Sequence, residues 1–278
     1  MIQFISLDMQ LSDLQLTLPV MLPSLRMALG LSDTPRVAFV GSGGKSTALF
    51  RLAREYPPPV IVTVTSHLEF FQAKQADHHF YFDGPVGWDG KLTLDYSGVT
   101  LFSGPKNNRS VAGLEASSLR QVLSLADKYN APLLIEADGS RRHPAKAPAE
   151  HEPPIPDFVD TVVVTAGLSA LGQPCTTEWV HRPEIYADLS GLQLGEKISL
   201  EGMERVLCHA SGGLKNIPSH ARRVVLLNQA DTPQLHELAN ELAGKLIPTY
   251  HAVIIASLKN NTEELPLIDA FYNQTHYV

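Results

Sequence analysis

Apolar positions in this chain fall into short unbroken runs, separated by stretches where they recur every three or four residues. The runs are "RVAFV" (36–40), the β-branched segment at 59–65, "APLLIEADG" (131–139), "VDTVVVTAG" (159–167), "ARRVVLLNQAD" (221–231) and "TYHAVIIASL" (249–258). Near-continuous apolar runs of this length read as strands covered on both faces. Helical spacing is seen from Lys45 to about Glu55, and again in "LEASSLRQVLSLADKY", "SLEGMERVLCHA" and "TPQLHELANELAGKL". Ser199 is the expected N-cap of the third of these helices, and Pro183 and Pro233 each suit a first helical position. Strands alternating with helices predict an α/β fold: a mostly parallel sheet with helices on both faces.

Three segments depart from that rhythm. Residues 1–35 read as an N-terminal extension whose "LPVMLPSLRMALGL" has helical apolar spacing and packs on the core. Between 78 and 112, "HHFYFDGP", "KLTLDYSG" and "GVTLFSG" are short, aromatic or β-branched, and divided by Gly and Pro, which predicts a β-rich antiparallel insertion. Residues 141–158, "RRHPAKAPAEHEPPIPDF", hold too many prolines for a regular element.

At 278 residues and 44% hydrophobic, the chain reads as a single α/β domain. Its net charge of −7, with only 18% charged residues, argues against nucleic-acid or acidic-membrane partners, whose binding draws on basic side chains. Two cysteines, Cys175 and Cys208, are too few for a disulfide framework, and the N-terminus lacks a signal-peptide layout. No apolar run is long enough to span a bilayer. A soluble cytoplasmic protein is expected.

The candidate chemistry sits at strand ends, where parallel sheets bind ligands. After "RVAFV" comes Gly41-Ser42-Gly43-Gly44-Lys45-Ser46-Thr47, then a helix. The Walker pattern wants its first glycine at position 39, which is Phe39, so this loop is a shortened G-x-x-G-K-[ST] form of the kind also found in nucleotide-binding families such as the Mur ligases. Glycines let backbone N–H groups converge on an anion, and the helix N-terminus behind them favours negative charge. Lys45 would meet the β- and γ-phosphates, Ser46 would ligate Mg²⁺, and Thr47 would reach an inner phosphate. Glu136 and Asp138 close the apolar strand "LLIEAD"; one of them is expected to hold Mg²⁺, since a metal relieves the cost of burying acids. GTP and ATP are equally compatible with the loop itself.

Other strand ends carry readings that stay open. Thr65, Ser66 and His67 could answer to a γ-phosphate or cap the next helix. Asn228 and Asp231 in "LNQAD" resemble the guanine-reading N-K-x-D pattern with Gln229 in place of the lysine, and Asp231-Thr232-Pro233 is also a good helix start. Arg141, Arg142, His143 and Lys146 form a basic cluster suited to an anionic ligand, or a solvated loop. His181 and Arg182 precede Pro183 and could touch substrate. No spacing supports a metal site among His67, His78, His79, His143 and His181.

Taken in order, "VGSGGKST", "TVTSH", "IEADGSRRHPAKAP", "TAGLSALGQP", "VHRPE" and "LNQAD" resemble the YqeC-type selenium-dependent hydroxylase accessory proteins over about residues 30–260. The resemblance implies a P-loop NTPase fold and a role in maturing a selenium-dependent molybdenum hydroxylase, with that enzyme or its maturation machinery as partner. Three functions are then expected to compete. The first is slow Mg²⁺-dependent nucleoside-triphosphate hydrolysis with GTP slightly favoured. The second is phosphoryl or nucleotidyl transfer, or ligation, to a small acceptor. The third is nucleotide sensing without turnover.

Overall fold

The computed structural model describes residues 20–22, 24–82, 94, 97–259 and 268–274. Its first strand, β1, is Val20–Leu22, followed by a short helix α1, Leu25–Leu29, capped by the Ser24 side chain on Met27 N–H. The helical spacing expected across 18–31 is thus split into strand and helix. A proline at 23 has no N–H to give to a helix running through it. Residues 1–19 of the expected extension lie outside the described residues.

The sheet proper opens with β2, Arg36–Gly41, which feeds the glycine loop and helix α2, Lys45–Arg54. Then come β3 (Val60–Val64), β4 (Leu68–Glu69), α3 (Phe70–Ala73), β5 (His78–Tyr81), β6 (Val99–Ser103) and β7 (Ser110–Val111). Helix α4 (Ala116–Lys128), β8 (Leu133–Glu136), β9 (Ala145–Lys146) and β10 (Thr161–Gly167) follow. The last part holds β11 (Val180–His181), α5 (Pro183–Ser190), α6 (Leu200–Cys208), β12 (Arg222–Asn228), α7 (Pro233–Leu246), β13 (Ala252–Ala256) and β14 (Ile268–Tyr272).

Ten strands form one sheet in the order β1-β14-β13-β12-β10-β2-β8-β3-β6-β5. From β5 to β13 every neighbouring pair is parallel, and β14 and β1 close that edge antiparallel. The α/β class expected from the strand–helix alternation is therefore the observed one. Successive residues alternate between the two faces. Ala38, Val40, Ile135, Val164 and Val225 pack under α4, α5, α6 and α7. Val37, Phe39, Leu134, Val163 and Val224 pack under α1 and α2. Each fully buried Val, Leu, Ile or Phe contributes about 1.5–3 kcal/mol. Such a core can carry the charged groups placed at its rim.

Three details differ from the expectation. Among the described residues of 78–112, antiparallel pairing is seen for β7, which meets β4, and for the Lys106–Val111 bridge. By contrast, β5 and β6 join the main sheet in parallel, since Thr100, Leu101 and Phe102 are buried alongside β3. Most of "KLTLDYSG" lies outside the described residues. Second, the proline-rich segment contains β9, which pairs in parallel with β11. Third, β14 was not anticipated: its "IDAFY" is too short and mixed in polarity to stand out. As expected, Ser199 caps α6 by accepting from Gly202 N–H at 3.0 Å. Thr232 caps α7, with Pro233 at the first turn.

Candidate functional site

Register brings the motif-bearing strand ends to one rim. Gly41 lies opposite Thr165, Phe39 and Val64 flank Glu136, and Gly167 lies opposite Asn228. The glycine loop crosses this rim in close contact with β10. Gly41, Gly43 and Gly44 have φ of 91°, 75° and 112°, the left-handed region that favours glycine. A Cβ on Gly44 would lie 2.5 Å from Asn228 Nδ2.

Loop backbone groups are already engaged by the protein. Gly41 N–H donates to Asp138 Oδ2 at 3.0 Å, Ser42 N–H to Thr165 O at 2.9 Å, and Gly43 N–H to His143 O at 3.2 Å. Ser42 Oγ donates to Pro144 O at 2.9 Å, and Asn228 Nδ2 to Gly43 O at 2.7 Å. Asn228 Oδ1 in turn accepts from Leu258 N–H, so this side chain braces the loop against the end of β13. The backbone donors left open therefore lie at the start of the helix. No side chain caps α2, and among the described residues none takes the N–H groups of Gly44, Lys45, Ser46 and Thr47. These are the orphan donors of a helix start, at the positive end of its dipole.

Four charged or polar side chains meet at this helix start, all nearly inaccessible. Lys45 Nζ donates to Gly41 O at 2.7 Å and lies 3.2 Å from Asp138 Oδ1, a contact of charge rather than an aligned hydrogen bond. Ser46 Oγ donates to Glu136 Oε2 at 2.6 Å and accepts from Gln72 Nε2 at 2.6 Å. Burial pushes the Glu136 carboxyl above the ordinary range, against the pull of Lys45 and the Ser46 hydroxyl, and the Asp138 charge adds to the upward push. Gln72 was not singled out in the sequence, because nothing in its spacing ties it to a loop 26 residues earlier.

Behind Asp138 runs a chain of alternating charge. Lys146 Nζ is 2.6 Å from Asp138 Oδ2 and 2.8 Å from Glu152, and Glu152 is 2.7 Å from Arg182 Nη2. Burial alone would raise the Glu152 carboxyl, but the hydrogen bonds from Arg182 and Lys146 bring it down to about 2. Nothing in the proline-rich sequence around Glu152 marks it for this role.

The remaining sequence candidates are placed as follows. Thr65 Oγ1 donates to the Ala137 and Pro154 carbonyls, which pins two loops together. Ser66 Oγ is buried with no partner among the described residues, and His67 is exposed. Arg142 forks onto Glu69 at 3.2 and 2.7 Å and covers the Phe71 ring, while Arg141 is exposed. His143 stacks on His181, centroids 6.0 Å apart. Burial and the charges of Arg182, Lys146 and Arg141 push His181 down to about 4, so it stays neutral near pH 7. Asp231 is exposed and accepts from Ser257 Oγ, next to Leu258, whose N–H donates to Asn228. Among the described residues no group of three or more His, Cys, Asp or Glu could hold a metal, and no helix is long and apolar enough to cross a membrane.

Fold and site together define an α/β protein with a mostly parallel sheet and a shortened glycine loop running into a helix, flanked by two buried acids. A family model described as "YqeC protein" matches residues 37–184, more than half of the chain. An Escherichia coli (strain K12) protein described as "Uncharacterized protein YqeC" is 33% identical over 205 residues, covering 72% of this chain and 78% of that one. The chain belongs to the YqeC family. No solved structure matches it.

Replacing Glu136 with glutamine is expected to stabilise the protein near neutral pH by about 1 kcal/mol, the scale of a site kept at the expense of stability. A carboxyl raised by folding binds its proton more tightly folded than unfolded. The wild type should therefore lose stability as pH climbs above the ordinary glutamate value of about 4.3, and the glutamine variant should flatten that slope. Thermal melts from pH 4 to 8 check it; an unchanged slope would show that Glu136 carries no burial penalty.

Proposed function

We propose that this protein binds a nucleoside triphosphate with Mg²⁺ at the glycine loop and hydrolyses its γ-phosphate slowly, acting as an accessory factor for a selenium-dependent molybdenum hydroxylase. One observation carries the reading: Lys45, Ser46, Glu136 and Asp138 converge, buried, on a helix start whose first-turn N–H groups are left open. A triphosphate there gains the N–H donors and the helix dipole, and Lys45 leaves Gly41 O and Asp138 to reach the phosphates. Asp138 keeps Lys146 when Lys45 departs, so its charge is not stranded.

Mg²⁺ fits the donor set. It takes few protein ligands, all oxygen, and completes its shell with phosphates and water, and the Ser46 hydroxyl lies against the Glu136 carboxylate at the rim. Once bound, it would neutralise charge developing on the phosphates. An ionised Glu136 is costly without it, which is why the buried acid reads as a cation ligand. The localisation that goes with this proposal is cytoplasmic.

Hydrolysis is favoured over transfer to an anionic acceptor by the pairing of the basic segment. Arg142 is tied to Glu69, Lys146 to Asp138 and Glu152, and Arg182 to Glu152, so only Arg141 of that cluster's cationic side chains lacks a carboxylate partner among the described residues. For the base, Asp231 stands exposed where β12 ends, beside Ser257 after β13, and guanine is the base that a carboxylate there would read. Phosphate release measured with GTP and ATP, with Mg²⁺ and without, tests the proposal. Slow Mg²⁺-dependent release is expected, and Asp231→Asn should slow it for GTP while sparing ATP. Equal effects on both nucleotides would remove the base-reading role, and release unaffected by Mg²⁺ would remove the catalytic one.

A further inference from the structure

On the face of the sheet away from α2, a cavity of about 40 Å³ lies beneath the start of the glycine loop. Val40 and Val164 form its floor, and Met203 and Val206 of α6 form one wall. The proline-rich segment lines another side through Pro144, Pro148 and Pro153. One polar side chain that lines it has an unsatisfied atom: Tyr186, 2% exposed, has a hydroxyl with no hydrogen-bond partner among the described residues.

A buried hydroxyl without a partner costs about 1–3 kcal/mol, so something is expected to meet it. Water is a poor answer. The volume holds about three waters, each needing two to four polar partners, while the polar side chains Ser42, Lys146 and Thr165 in the lining are already engaged with Pro144 O, Asp138 and Val40 O. A single water on Tyr186 would leave most of the space empty. An ion is also a poor answer, because Asp138 and Lys146 already neutralise each other at 2.6 Å.

We propose that this cavity is a binding site for a small neutral organic molecule, about three to five heavy atoms long, with an apolar body and a hydroxyl-type end that meets the Tyr186 hydroxyl. The site does not require the glycine loop to take a nucleotide. Its body would lie against Val164, Met203 and Val206, where apolar burial favours it. Its polar end would complete the hydrogen bonding that the protein leaves open.

The test uses the full chain labelled at its methionine methyl groups and 1-butanol as probe, with the Met203 signal assigned by Met203→Leu. A saturable shift of the Met203 methyl resonance is expected. Tyr186→Phe, which keeps the ring and removes only the hydroxyl, should weaken binding about tenfold, the worth of one buried hydrogen bond. Val206→Phe, which fills the space from the far wall, should abolish it. A shift that stays linear with concentration, or survives Val206→Phe, or is indifferent to Tyr186→Phe, would overturn the proposal. If Val206→Phe does not fold, Tyr186→Phe alone decides.

Discussion

Asp138→Asn is expected to cost about 3–5 kcal/mol of stability, the scale for removing one member of a buried ion pair. Among the described residues this carboxylate is the only acid that touches both buried lysines of the site. It holds Lys146 at 2.6 Å and Lys45 at 3.2 Å, and it accepts the Gly41 N–H at 3.0 Å. Asparagine keeps the shape but removes the charge, so Lys146 would rely on Glu152 and Lys45 on the reluctant Glu136. For a chain of this length the loss corresponds to a drop in Tm on the order of 10 °C. A melt within about 2 °C of the wild type would mean that the two lysines do not depend on Asp138.

Gly43→Ala is the second large effect. Gly43 sits at φ 75°, and a Cβ there would overlap the backbone N and Cα of Gly167 and come 2.7 Å from the Ala166 carbonyl carbon. Both obstacles are backbone, so no rotamer relieves them. Strain at a left-handed position and overpacking each cost about 1–3 kcal/mol. Because Gly43 also gives its carbonyl to Asn228 and its N–H to His143 O, the loop is expected to lose its shape as well as stability. Gly139→Ala is the matched control. It lies just past the same strand rim with nothing within 4 Å of an added Cβ, and should stay within about 0.5 kcal/mol of wild type. Equal melts for the two variants would contradict the tight seating of the loop on β10.

Much of this arrangement was legible in the chain, for a local reason. Runs such as "TVVVTAG" are apolar on both faces only if helices cover both faces, and that fixes a parallel sheet with loops at its carboxyl ends. The glycine loop, Lys45, Ser46, Glu136 and Asp138 follow from strand ends alone. What stayed hidden depends on pairing between distant segments. The roles of Arg142 and Arg182 are set by Glu69 and Glu152, and no periodicity links these residues. The Asn228 side chain braces Gly43, a contact across 185 residues that its place in "LNQAD" does not foretell. Likewise β5 and β6 carry turn residues around them that suggest hairpins, while their pairing is set by the buried flank of β3.

The loop amides add a further constraint on function. With Gly41, Ser42 and Gly43 N–H groups spent on the protein, phosphate recognition in the proposed complex would fall to the first turn of α2 and to Lys45. A shortened loop can therefore keep a phosphate site by leaning on the helix start rather than on a longer necklace of glycine amides.

Calorimetric titration of the wild type and of Lys45→Ala with GTP and ATP in Mg²⁺ tests the central claim most directly. The account expects saturable binding by the wild type and at least about a hundredfold loss in Lys45→Ala, since a charge-assisted contact to the phosphates is worth roughly that much. No heat of binding at millimolar nucleotide, or equal affinity in the two proteins, would contradict it.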